Sequence, residues 1–248
     1  MTEDKSKSLT IPQNNSLARV EKSIALTNKL LSTIDETVTD IDGNVYKTVK
    51  IGNQVWMAEN LKVTHYRNGD PITNITDNSQ WGDLSDGAYG DYNNDPSNSD
   101  TYGRLYNFYV VDDARGLCPK GWHVPSDEEW MELEMYLGMS YEEAHSNDIR
   151  GTNQGSQLAG NIDFWDSGDL ENDTAFGSSG FLALPGGNRS IVNGSYYGMG
   201  NSSCFWSSTP NNSLYARDRA LHNVFSDVFR GSYNKRLGYS VRCVRDAD

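Results

Sequence analysis

Leu17, Val20, Ile24, Leu31 and Ile34, with Thr27 between them, recur at intervals of three and four, and Leu26 and Leu30 widen the stripe. That period predicts an amphipathic helix over 16–36, with Arg19, Glu21, Lys22 and Lys29 on its polar side. Such a helix is marginal alone in water, so its apolar stripe needs a cover. Either its own domain supplies one, or the stripe docks a partner protein or a second copy. Leu17, Val20, Ile24, Leu31 and Ile34 are the docking candidates. Residues 1–15 are polar and charged, with Pro12, Asn14 and Asn15, and are expected to be a disordered leader.

From Thr37 the period shortens to two. Val38–Ile41 and Val45–Ile51 flank Asp42-Gly43-Asn44, which predicts a hairpin, and Gly52-Asn53 turns the chain into Gln54–Met57. Residues 67–103 are rich in Asn, Asp, Gly and Ser and read as one long loop, pinned by Trp81, Tyr89 and Tyr92. Ser126 followed by Glu129 is a capping-box signature, with Trp130, Leu133 and Leu137 at helical spacing and Gly138 as the stop. Ser140 and Glu143 repeat the signature for a second short helix, expected to end near Gly151. Short strands and turns fill the remainder, at Gly180–Gly187, Ser195–Tyr197, Cys204–Trp206 and Tyr239–Val244.

Composition narrows the function. The 248 residues carry 21 Lys and Arg against 34 Asp and Glu, a net charge of −13. A chain of that sign repels phosphate backbones and anionic bilayers, so neither nucleic acid nor membrane is an expected partner. The first residues hold charge but no apolar run, which points to a cytoplasmic chain. Cys118, Cys204 and Cys243 make an odd count that suits three thiols in a reduced compartment; a secreted form would pair at most two.

Several blocks carry a family resemblance. Asp42-Gly43-Asn44-Val45-Tyr46 with Ile51–Leu61 resembles the opening of the Fibrobacter succinogenes major paralogous domain. So do Tyr102–Asn107, Cys118–Ser126 with Glu129 and Trp130, Asn172-Asp173, Gly180–Gly187, Phe205–Thr209 and Ser240–Arg245. These blocks span about residues 40–246 and leave out the N-terminal helix. The resemblance implies a C-type lectin-like fold near the formylglycine-generating type. That is an α+β domain over 37–248 with two helices, short twisted antiparallel strands and long loops, its first and last strands near each other. It also suggests that Cys118 and Cys243 are neighbours in space.

Between two fixed-looking blocks, Cys204–Thr209 and Gly238–Arg245, lies a segment of free composition. Ala216, Leu221, Val228 and Gly238 suit the interior. Arg217, His222, Asn223, Phe225, Asp227, Phe229, Tyr233, Asn234 and Arg236 are the aromatic, charged and amide types that supply contact energy at interfaces. This layout is similar to the variable proteins of diversity-generating retroelements. The expected function is therefore non-catalytic recognition of a protein ligand by 215–237, helped by Tyr196 and Tyr197, with no cofactor.

Catalytic and metal readings are weaker. A formylglycine-type oxidase requires a reactive Cys pair, whereas Cys204 and Cys243 sit in apolar, strand-like blocks of the kind that bury inert thiols. His65, His123, His145 and His222 show no ligand spacing, and His123 is expected to be structural. Asp83, Asp86, Asp91, Asn93, Asn94, Asp95 and Asp100 crowd one region without an EF-hand spacing, so a solvated acidic loop is expected over a calcium site. An exported structural surface protein is the third alternative, because many paralogues of the domain are exported.

Overall fold

The computed structural model describes residues 36–247 together with Val20, Glu21, Ser23 and Ile24. Three sheets and seven α-helices among these residues make a mixed α+β fold. β1 (Thr37–Thr39), β2 (Val45–Ile51), β3 (Gln54–Met57) and β13 (Val244–Asp246) form an antiparallel sheet in that order, so the first and last strands share one sheet but stand at its two edges, and the last pairs with β3. Asp40 fixes the β1–β2 turn by accepting from the Asp42 and Asn44 amides and from the Tyr46 hydroxyl.

The stretch 67–103, expected as loop, instead holds several very short elements. β4 (Thr73–Asn74), β5 (Ala88–Gly90) and β6 (Leu105–Tyr106) form a small sheet, and α1 (Asn78–Trp81) and α2 (Pro96–Tyr102) lie between them. Trp81, Tyr89 and Tyr92 are buried and anchor it. α2 ends at Gly103, whose φ of 74° and close approach to the Leu61 carbonyl both call for glycine. Asp91 meets Arg104 and Ser99, and Asp95 caps α2, so these acids are spent on internal contacts. Among the described residues no group of three or more His, Cys, Asp or Glu could hold a metal ion.

α3 (Phe108–Val111) leads to α4 (Asp127–Tyr136) and α5 (Tyr141–His145), both opened by the expected capping boxes at Ser126/Glu129 and Ser140/Glu143. The second helix stops at His145 rather than near Gly151, because the chain straightens into β7 (Asp148–Arg150) and pairs with a distant strand. His123, expected to be structural, pairs with Glu129 beside the α4 cap and is partly exposed. α6 (Gln154–Leu158) and α7 (Asp169–Asn172) follow.

The largest sheet is built from β7, β12 (Val228–Asn234), β11 (Tyr215–His222), β10 (Ser202–Pro210), β8 (Gly186–Arg189) and β9 (Tyr196–Met199), in that order. Trp130, Phe181, Phe205, Leu221 and Val228 pack between one face of this sheet and α4. In the middle of that layer sits an ionic network. Arg219 donates through Nε to Glu134 Oε1 and through Nη1 to Asp127 Oδ1, each at 2.7 Å. Arg230 donates through Nη2 to Asp127 Oδ2 at 2.6 Å, and Arg150 pairs with Glu134. All five side chains are buried. Burial alone would raise the Asp127 pKa, but hydrogen bonds and charge from Arg230 and Arg219 prevail and hold it at about 2.

The last segment ties the sheets together. Gly238 bridges to Arg189, Tyr239 to Tyr106 and Ser240 to Phe205 before Val244 joins β3. Arg242 is buried without a carboxylate, stacked 4.1 Å from the Phe181 ring and donating to Asn60 Oδ1 and the Phe181 carbonyl.

Cys118 and Cys243 form a disulfide, and Cys204 is free and buried. This corrects the expectation of three thiols: the two outer cysteines are neighbours, as the family blocks implied. Leu17, Leu31 and Ile34 of the docking stripe lie outside the described residues, while Val20 and Ile24 are helical and exposed. Among the described residues no helix is long and apolar enough to cross a membrane.

Two outcomes test this architecture. Glu134→Leu leaves Arg150 and half of Arg219 without an anion, and should lower unfolding stability in urea by about 3–5 kcal/mol. Thiol labelling in denaturant without reductant should modify one cysteine per chain, rising to three after reduction.

Candidate binding pocket

β10 pairs with β11 in antiparallel register from Ser202 to Trp206, before a bulge shifts it towards Pro210, and β11 pairs with β12 likewise, so opposed residues there share a face. One set comprises Phe205, Arg219 and Arg230, which look toward α4. The other comprises Cys204, Ala220 and Phe229 in one row, and Trp206, Asp218 and Gly231 in the next. Ile149 of β7 stands opposite Phe229 and extends this second face. Trp206 continues into a core with Tyr239 and Phe108, its ring 4.6 Å from that of Tyr239.

A pocket of about 430 Å³ opens on the second face. Its floor is Cys204, Asp218 and Ala220, and its walls are Phe225, Phe229, Tyr233, Leu237 and Tyr239. His222, Asp227, Asn188 and Ser202 add polar atoms around it. Phe225, Tyr233 and Ile149 are exposed large apolar side chains. The space exists because Gly231 lies opposite Asp218; a Cβ there would come within 2.5 Å of the Phe229 ring and 3.1 Å of Asp218 Oδ1.

Asp218 is the unusual member. Its side chain is fully buried, and neither carboxyl oxygen has a hydrogen-bond partner. The Gly231 amide is near enough to favour the ionised form slightly, without the geometry of a hydrogen bond. Arg217 and Arg219, its chain neighbours, point to the α4 side, where Arg217 donates to Asn147 and Arg219 serves the ionic network. Burial therefore dominates and pushes the Asp218 pKa up to about 7, against the pull of the two arginines. Burial, with the Asp218 charge adding to it, also pushes the Cys204 thiol up to about 12.

The structure divides the residues expected to bind ligand. His222, Phe225, Asp227, Phe229 and Tyr233 line the pocket together. Arg217, expected to face outward with them, has the opposite strand parity and lies on the α4 side, 3.8 Å from Asp127. Asn223 is buried, donating to the Ser167 carbonyl, and is a structural residue. Asn234 accepts from the Arg236 amide in the turn after β12, and Arg236 donates to the Gly82 carbonyl, so neither joins the pocket. Tyr196 packs on Arg189 and Tyr92 and donates to Asn94. Tyr197 is exposed and stands opposite the pocket residue Asn188, outside the lining itself. Asp218, Cys204 and Tyr239 escaped the sequence reading. The signal for Asp218 was present: it shares parity along β11 with Ala220 and His222.

Sheet, helix layer and pocket define an α+β domain with one strand face packed on the α4 core and the other divided between a second core and a concave, aromatic pocket that Asp218 lines. The family model of the Fibrobacter succinogenes major domain matches residues 49–245, about four-fifths of the chain, and the chain belongs to that family. No curated protein and no solved structure matches it.

The Asp218 shift has a sign that can be measured. Between the ordinary carboxylate value of 3.8 and about 7, the folded state holds a proton that the unfolded chain has released. Folding stability contributed by this group therefore falls as pH rises through that window and levels off above it. Asp218→Asn should be more stable than the parent at pH 8, by up to about 4 kcal/mol, with the gap closing toward pH 4 in urea titrations.

Proposed function

We propose that the chain is a non-catalytic recognition protein that presents the β10–β12 face, and the segment 215–237 in particular, to a protein ligand. The observation that carries this is the pocket: five of the residues chosen for their interface chemistry line one concavity, and Phe225 and Tyr233 stand exposed at it. Exposed aromatic groups gathered in a concave site are a costly arrangement that binding relieves. The Cys204 thiol, buried and held near 12, is poorly suited to act as a nucleophile, which favours recognition over oxidase chemistry.

The scaffold is read as C-type lectin-like, supported by the first and last strands sharing one sheet and by the adjoining helices α4 and α5. Variation of the 215–237 segment in the manner of retroelement-diversified proteins fits the division of labour within the sheet, where the α4 side is occupied by buried charges and Phe225 and Tyr233 stand exposed at the pocket. The apolar stripe Leu17, Val20, Ile24, Leu31 and Ile34, most of it outside the described residues, is assigned to docking a partner. The cytoplasmic expectation is not carried forward, because a Cys118–Cys243 bridge is the kind of bond that an oxidising compartment maintains.

The test is capture of partners on the immobilised full chain, compared with a variant carrying Phe225→Ala, Phe229→Ala and Tyr233→Ala. All three side chains lie at the pocket, so the variant should fold, as checked by far-UV circular dichroism. Recovery of bound protein should fall at least tenfold, and undiminished recovery would remove this face from the assignment.

A further inference from the structure

We propose that the pocket captures an organic cation bearing N–H donors, a primary ammonium or guanidinium on a slim apolar stem, with Asp218 as its counter-charge. The proposal rests on the reading of this face as a recognition surface and specifies what the face holds.

Charge complementarity is the first support. Of the described residues that line the pocket, two are carboxylates, Asp218 and Asp227, and none is lysine or arginine. The two arginines beside Asp218 in sequence are turned to the other side of the sheet by strand alternation and are already engaged there. Satisfaction is the second. A buried carboxyl with both oxygens unpartnered is an unfavourable state that the fold itself does not relieve. A ligand with two or more N–H donors can meet both oxygens at once, as guanidinium does in a forked pair and ammonium with two of its three hydrogens. A neutral alcohol offers one donor and no charge.

Shape and wall chemistry supply the third. Asp218 lines a cavity together with Phe229, Tyr233, Tyr239, Leu237 and Phe225, its two oxygens closed to water beneath these side chains. Aromatic faces attract a cation and tolerate its methylene stem, so the same walls serve both parts of the ligand. A volume of about 430 Å³ is suited to one extended side chain or one small amine rather than to a folded polymer. The source is thus either a lysine or arginine side chain projecting from a protein or a free alkyl amine.

The full chain is titrated by calorimetry at pH 8 with pentylamine, agmatine and the neutral control 1-pentanol. Pentylamine and agmatine should each bind at least tenfold more tightly than 1-pentanol. Asp218→Asn, which keeps the shape of the side chain, should abolish that preference while the protein stays folded. Phe229→Ala should weaken both amines severalfold with Asp218 intact. Lysine blocked at its α-amino and carboxyl groups separates the sources: binding equal to pentylamine supports a protein side chain, and exclusion alongside pentylamine binding supports a free amine. Equal binding of pentylamine and 1-pentanol, or an amine preference that survives Asp218→Asn, overturns the proposal. Loss of partner capture in the triple alanine variant, together with such a result, would leave the recognition face standing and remove the cation alone.

Discussion

Two carboxylates of α4 and three arginines of the large sheet meet where water does not reach them. Each partner left alone there would carry a heavy desolvation penalty, so the contact forms with its members together or not at all. Asp127 is also the first residue of α4, beside the capping box at Ser126 and Glu129. The helix start, the strand register and the charge pairing are therefore one geometric condition. A slip of β11 by one residue would send Arg219 to the pocket side and Asp218 toward Asp127, placing like charges together. The network thus selects the register as well as joining the layers.

That selection explains how the opposite face can be so differently composed. Once the α4 side fixes β10, β11 and β12, the side chains of alternate parity divide between a second core, where Cys204, Trp206 and Ala216 are buried with Tyr239, and the pocket. Ala220, Gly231 and Cys204 keep the floor low, while Phe229 and Tyr233 rise around it. Asp218 is tolerated in an uncomfortable position because the stability comes from elsewhere, a pattern expected where a site serves binding rather than folding. The same separation means that a substitution of an exposed pocket residue such as Phe225 or Tyr233 leaves the register set on the α4 side largely alone.

Much of the local structure was legible in the sequence. The capping boxes at Ser126 and Ser140, the turn at Asp42-Gly43 and the anchoring roles of Trp81, Tyr89 and Tyr92 are written in neighbouring residues. The stretch 67–103 was not, because elements of two to seven residues are too short to display a period. The ionic network was invisible for another reason: Asp127 and Arg219 are 92 positions apart, and nothing in either neighbourhood names the other. Asp218 is flanked by Arg217 and Arg219, and only alternation along β11, counted from His222, separates it from its neighbours. Residue type alone picks out Phe225, Phe229 and Tyr233, which line one pocket, but it does not report which side of a strand faces where, and Arg217 and Asn223 lie elsewhere.

The segment from Gly238 to Val244 bridges to Arg189, Tyr106, Phe205 and β3, and so touches all three sheets within seven residues. A single cut by a protease within this segment would therefore loosen the ties among the three sheets together, and would also free Tyr239, which lines the pocket.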